Sequence, residues 1–183
     1  MIVAKQVADL FTYIRVLLAP TLVVLGIWRG EENLPIAIGL MIISWTSDSL
    51  DGPLARRSSK QYNTWIGDHD LEVDMWVSIG LLIYMVTAGF LNILVAVTYV
   101  LLWVLIFWRW GFQRSLGMLV QAPIYGYFLY LGLTIAPAAG AWMIGWILAA
   151  LVITWPKFPK EIVPGFLGGM KSALRLGRKR DKV

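Results

Sequence analysis

Apolar residues occupy this chain in long blocks separated by short polar clusters. The block from Val7 to Trp28 holds only Asp9 and Arg15 as charged residues, and the turn-like Arg29-Gly30-Glu31-Glu32-Asn33 divides it from a second block that opens at Leu34. The far end of the second block carries Asp48, Asp51, Arg56 and Arg57, followed by a polar connection over 58–68 and a new apolar helix from about Asp70. From Met75 to Trp108 there is no charged residue in 34 positions, with a turn expected near Gly89-Phe90-Leu91-Asn92. From Ser115 to Pro156 there is none in 42 positions, with a turn expected at Pro137-Ala138-Ala139-Gly140. One bilayer crossing needs about 20 mostly apolar residues. The pattern therefore predicts an all-α integral membrane protein of six transmembrane helices, at about 7–28, 34–57, 69–89, 92–112, 116–136 and 140–156.

Composition agrees with a bilayer solvent. Of 183 residues, 58% are apolar and 15% charged, against about 45–50% and about 25% in soluble domains. Residues 1–156 then form one six-helix transmembrane catalytic domain, and 157–183 a basic cytoplasmic or interfacial tail. The first block has Lys5 as its only basic flank and no small-residue cleavage pattern after it, so it reads as a retained span and not a signal peptide. With both termini cytoplasmic, fifteen of the sixteen basic residues lie inside and only Arg29 outside, as short loops require. That orientation assigns the net charge of +5 to anionic lipid headgroups and not to nucleic acid. The tail sets Phe166, Leu167, Met170 and Leu174 among Lys171, Arg175, Arg178, Lys179 and Arg180, which suits either a short interfacial amphipathic helix or a basic end that serves orientation. With no Cys, disulfides, thiolate metal sites and cysteine nucleophiles are excluded.

Chemistry concentrates between residues 48 and 74, where six of the eleven acidic residues fall. At about 100° per residue, Asp48, Asp51, Gly52 and Ala55 share an arc of about 100° on one helix, while Asp70 and Asp74 stack one turn apart on the next. Two carboxylate pairs can thus face each other. Ionisable groups near hydrocarbon cost about 2.5–3.5 kcal/mol each on insertion scales, and four like charges add repulsion, so a positive partner is required. Arg56, Arg57 and Lys60 supply part of it, but hard oxygen ligands from two helices suit divalent cations better, Mg²⁺ or Mn²⁺ above all. Two such ions would balance four aspartates, and paired metals stabilise attacking and leaving oxygens in phosphoryl transfer, which implies a diphosphate substrate. The small residues Gly52 and Ala55 leave room for a ligand or for close helix packing, and Arg56 is placed to bridge phosphate oxygens.

Asp48, Asp51, Gly52, Ala55, Arg56, Asp70 and Asp74 together resemble the signature of the CDP-alcohol phosphotransferase family, D-x2-D-G-x2-A-R-x8–9-G-x3-D-x3-D. Seven of its eight positions match; Ile66 stands at the remaining glycine, with Gly67 one place later. Thr12-Tyr13-Ile14-Arg15 and Ala19-Pro20 are similar to the first helix of phosphatidylglycerophosphate- and cardiolipin-synthase-like members, with Asp9 where those often have Asn. The resemblance implies transfer of a phosphatidyl group from CDP-diacylglycerol to an alcohol, with release of CMP. It implies that Asp48, Asp51, Asp70 and Asp74 hold two Mg²⁺ or Mn²⁺ ions and that Asp74 is also the general base. Gly52 and Ala55 would border the cytidine and Arg56 the diphosphate. A homodimer in a bacterial or archaeal cell membrane, its active site on the cytoplasmic face, follows from the same likeness.

The acceptor lies outside the signature. Arg109 and Arg114 flank the cytoplasmic turn between the fourth and fifth helices and could hold an acceptor phosphate or serve as topology-setting charges. Glycerol 3-phosphate is the acceptor expected; inositol phosphate, serine and phosphatidylglycerol are the alternatives, as is a catalytically silent scaffold. Arg15 and Lys60 carry the same two readings. His69 reads as a helix-start residue or as a proton-handling one, Asp68 as a helix cap, and Glu72 points about 200° away from Asp70.

Overall fold

The computed structural model describes residues 4–57 and 69–180. Each apolar block is a helix: α1 Ala4–Arg29, α2 Leu34–Arg57, α3 Asp70–Thr87, α4 Ile93–Trp110, α5 Arg114–Ile135 and α6 Pro137–Thr154. The tail adds α7, Val163–Arg180, so it is helical and not an irregular basic end. No strand occurs among the described residues.

The turns follow from local chemistry. Between α1 and α2, Gly30 takes a positive φ of 52°, and the buried Asn33 donates its amide to the Leu25 carbonyl at 3.1 Å. A carbonyl in the last turns of α1 is thereby satisfied. Asn92 caps α4, accepting from the Leu94 amide at 2.8 Å, three residues beyond the turn glycine Gly89 at φ 82°. The break between α5 and α6 differs from expectation. Residues 137–140 are helical, and the chain turns at Ala136 alone. Proline is well suited to the first helical position, where its missing N–H would have no intrahelical partner; here Pro137 opens a helix.

α1 packs most extensively on α3 and next on α2, so α1 and α2 form a hairpin. α5 lies across the bundle against α2, α3, α6 and α7, which explains its many buried positions, from Ser115 to Gly132. One core joins Leu22, Ile38, Met41, Leu81, Tyr84 and Phe128 from four helices. Two crossings have no room for side chains. A Cβ on Gly80 would lie 2.7 Å from the Ala19 Cα, and one on Gly140 would lie 2.6 Å from the Gly132 carbonyl carbon. Small residues at such points let backbones approach, the usual device where lipid supplies no hydrophobic drive between helices.

α4 is peripheral: only Ala96 and Trp103 are buried, while Leu94, Leu101, Leu102 and Leu105 are exposed. An apolar exposed face is stable against acyl chains and not against water. Four stretches are long and apolar enough to cross a membrane: Asp9–Leu50, Ile93–Trp110, Arg114–Ile135 and Pro137–Thr154. The first contains both helices of the α1–α2 hairpin. α3 lies outside that set, carrying Asp70, Glu72 and Asp74 in its first turns.

Candidate functional site

Helical spacing sets Thr12 and Arg15 on one face of α1, and that face meets the end of α2 and the start of α3. Both residues are buried, and the Arg15 side chain has no exposed surface. Its Nη1 donates to Asp48 Oδ1 at 3.0 Å and also to Asp74 Oδ1. Its Nη2 donates to Thr12 Oγ1 at 3.4 Å. One guanidinium thus draws together two carboxylates 26 positions apart in sequence. The Asp48 side chain is 46% exposed and that of Asp74 26%, so the carboxylates open outward while their cation lies beneath them.

The surroundings hold this cluster in register. Below Asp74, Trp76 Nε1 donates to the Val16 carbonyl at 3.2 Å, one residue past Arg15. One turn further, Gly80 admits Ala19. Buried hydroxyls near the cluster bond within their own helices, Ser47 to the Ser44 carbonyl at 2.7 Å and Ser78 to the Met75 carbonyl at 2.8 Å. The Trp76 bond and the Gly80–Ala19 approach fix α1 against α3.

Beside Asp48 lies a cavity of about 380 Å³ bounded by α2, α5 and α6. Asp48 and Ser49 line one part of it; Trp45, Tyr125, Leu129 and Trp146 line the rest. The Trp45 ring meets Tyr125 edge to face at 5.7 Å and Trp146 at 5.5 Å. Trp146 Nε1 donates to Thr46 Oγ1 at 2.8 Å, and the Tyr125 hydroxyl to Gln121 Oε1 at 3.1 Å. The polar atoms of Trp146 and Tyr125 are thus engaged, and the cavity presents a charged group beside an apolar, aromatic wall. A second cavity of about 350 Å³, between α3, α4 and α5, is apolar throughout. Its hydroxyls, Tyr99 and Tyr127, donate to the Val120 and Phe90 carbonyls.

Of the residues singled out from the sequence, Asp48 and Asp74 are both brought onto Arg15. Asp51, Gly52, Ala55 and Arg56 lie on the last turns of α2, and Asp70 is the first residue of α3; their side chains fall outside the described residues. So do Lys60, Ile66, Gly67 and Asp68. Glu72 is exposed. His69 is the N-cap residue of α3, its carbonyl accepting from the Val73 amide at 3.1 Å. Arg109 ends α4 with its guanidinium 5.4 Å from the Trp110 ring centroid, and Arg114 opens α5, exposed. Gly117 lies against Leu71, where a Cβ would come within 3.2 Å, so Arg114 and the acidic start of α3 share one end of the bundle.

Arg15 is the residue whose place the sequence did not reveal, since it stood between an acceptor-phosphate and a topology-setting reading. Its signal was present: a cation well inside an apolar run needs a partner, and carboxylates elsewhere needed a cation. Among the described residues no group of three metal-ligating side chains occurs. The test of fit is therefore the donor chemistry. Asp48 and Asp74 offer carboxylate oxygens, the donor type that hard divalent cations take, at a point where Arg15 already balances part of their charge.

Residues 5–162 match the family model of the CDP-alcohol phosphatidyltransferases. No curated protein and no solved structure matches the chain. With most of its length covered, the chain belongs to the CDP-alcohol phosphatidyltransferase family, and it is accordingly a phosphotransferase enzyme whose family moves a phosphatidyl group between a CDP-alcohol and an acceptor.

Proposed function

We propose that this CDP-alcohol phosphatidyltransferase takes CDP-diacylglycerol as donor and glycerol 3-phosphate as acceptor, releasing CMP. The observation that carries the reading is the convergence of Asp48 and Asp74 on Arg15 beside a cavity that is charged at one part and apolar in the rest. A lipid diphosphate has the same polarity. Its phosphates belong near the carboxylates and their cations, and its acyl chains belong in the bilayer against which the apolar helix faces stand.

Asp48, Asp51, Asp70 and Asp74 would hold Mg²⁺ or Mn²⁺, and two such ions would supply the charge neutralisation that a diphosphate requires in phosphoryl transfer. The chain's own residues do the rest. Asp74 accepts the proton of the acceptor hydroxyl as general base. The acceptor oxygen then bonds to the lipid-side phosphorus while the anhydride bond to CMP breaks, and CMP leaves with that bonding pair. Gly52 and Ala55 border the cytidine, Arg56 meets the diphosphate, and Arg109 and Arg114 at the same end bind the acceptor phosphate. Six crossings with both termini inside put this end of the bundle on the cytoplasmic face, next to anionic lipid.

The test is CMP release from CDP-diacylglycerol by the purified protein with Mg²⁺ or Mn²⁺, with glycerol 3-phosphate, inositol phosphate, serine and phosphatidylglycerol compared. Release dependent on glycerol 3-phosphate is expected, and Asp74→Asn is expected to lower it by at least 10²-fold, the lower range for loss of a general base, while the protein remains helical by circular dichroism. Release with a different acceptor renames the product, and release that survives Asp74→Asn removes the base assignment.

A further inference from the structure

We propose that Arg15 is a resident counter-cation: it occupies the carboxylate cleft of the metal-free protein and gives up Asp48 and Asp74 when a divalent ion enters. This rests on the reading of those aspartates as metal ligands. A single nitrogen, Nη1, meets Oδ1 of both. A divalent ion held by the same two carboxylates would compete with the guanidinium for their negative charge. Repulsion between the two cations at such range is weakly screened, because Arg15 has no exposed surface.

The exposure pattern gives the exchange a direction. Asp48 and Asp74 keep 46% and 26% of their side-chain surface while Arg15 keeps none, so an ion reaches the carboxylates more readily than it reaches the guanidinium. Thr12 Oγ1, 3.4 Å from Nη2, is a partner on the same helix face that Arg15 retains while it leaves the carboxylates. The fork of five donors on a guanidinium then suits the phosphate oxygens that accompany the ion. Arg15 therefore lowers the affinity of the empty site for metal alone, and it links metal loading to arrival of an anionic substrate.

The experiment measures Mn²⁺ binding to the full-length protein in nanodiscs by electron paramagnetic resonance of the free ion. Wild type, Arg15→Gln and Arg15→Lys are compared without substrate. Arg15→Gln is expected to bind Mn²⁺ about five- to tenfold more tightly than wild type, since it removes the competing charge worth about one unit of tenfold discrimination, and Arg15→Lys should stay near wild type. Binding by wild type with no gain in Arg15→Gln overturns the proposal alone; absence of binding in both overturns the metal-ligand reading and the proposal with it. Should Arg15→Gln fail to fold, the wild type still decides. Arginine modification by phenylglyoxal, mapped by mass spectrometry with exposed Arg114 as reference, should speed up severalfold at Arg15 on addition of saturating Mn²⁺. An unchanged or slower rate there overturns the proposal.

Discussion

A guanidinium removed from water must have its charge matched, and at Arg15 the match comes from two carboxylates on two other helices. Losing one carboxylate leaves the other in place, and both are partly exposed, so each single replacement is mild. Losing both takes from a buried guanidinium the two carboxylates that its Nη1 meets, which costs more than the two single losses added. Asp48→Asn and Asp74→Asn are therefore expected to lower thermal stability modestly one at a time, by about 1 kcal/mol each, and superadditively together. A double-mutant cycle on metal-free protein checks this, and simple additivity would show that the two carboxylates do not share Arg15. The two acidic helix faces were legible in the sequence, because helical spacing reports which residues of one helix lie together. Their counter-charge was legible only in part. Arg56, Arg57 and Lys60 are near in sequence, whereas Arg15 lies 33 positions from Asp48 and 59 from Asp74, and helical periodicity carries no information about which helices pack.

At the level of elements, the site depends on how close α1 comes to α3. Arg15 and Ala19 are one turn apart on α1, as Asp74 and Gly80 are fewer than two turns apart on α3, so the Gly80–Ala19 contact sets the distance over which Arg15 reaches Asp74. Gly80→Leu is expected to separate the helices, at an overpacking cost of about 1–3 kcal/mol, and to reduce CMP release at least tenfold with helicity retained. Gly39→Leu, on a face of α2 where nothing lies within 4 Å of an added Cβ, is the control and should leave release near wild type. Helix starts and turns were well predicted where local chemistry marks them: α2 opens at Leu34 as expected, and the Gly89–Asn92 turn is where its glycine and asparagine put it. The turn at Pro137 was displaced because proline both ends helices and opens them, and hydropathy does not distinguish the two uses. The docking of α7 was not legible either. Met170 joins Trp103, Leu116 and Val120 in a small cluster, a contact that becomes visible only when the ends of α4 and α5 are brought together.

The whole molecule has to be threaded through a bilayer, and the number of crossings decides which side holds the site. Asp9–Leu50 is 42 residues of apolar helix; straight, it would be about 63 Å long against a hydrocarbon core of about 30 Å. It is folded at Gly30–Asn33 and packed on itself, each half long enough for one crossing. α3 is as long as α4 and α6, at 18 residues, and its three carboxylates are confined to the end that adjoins the end of α2, so it too can cross with its acidic end at the interface. On the proposed topology α4, α5 and α6 bring the total to six, and the loop charges opposite the site are then Arg29, Glu31 and Glu32. Because the chain has no cysteine, single substitutions report sidedness without background. Glu31→Cys and Ala138→Cys, both at exposed positions, should react with an impermeant maleimide on intact cells, whereas the exposed Ser172→Cys should react only after permeabilisation. If α3 did not cross, the α1–α2 turn and the α5–α6 turn would lie on opposite sides, and Glu31→Cys and Ala138→Cys would label under opposite conditions. If all six cross in the reverse orientation, the whole pattern inverts, and fifteen of sixteen basic residues would stand on the side that short-loop charge bias disfavours.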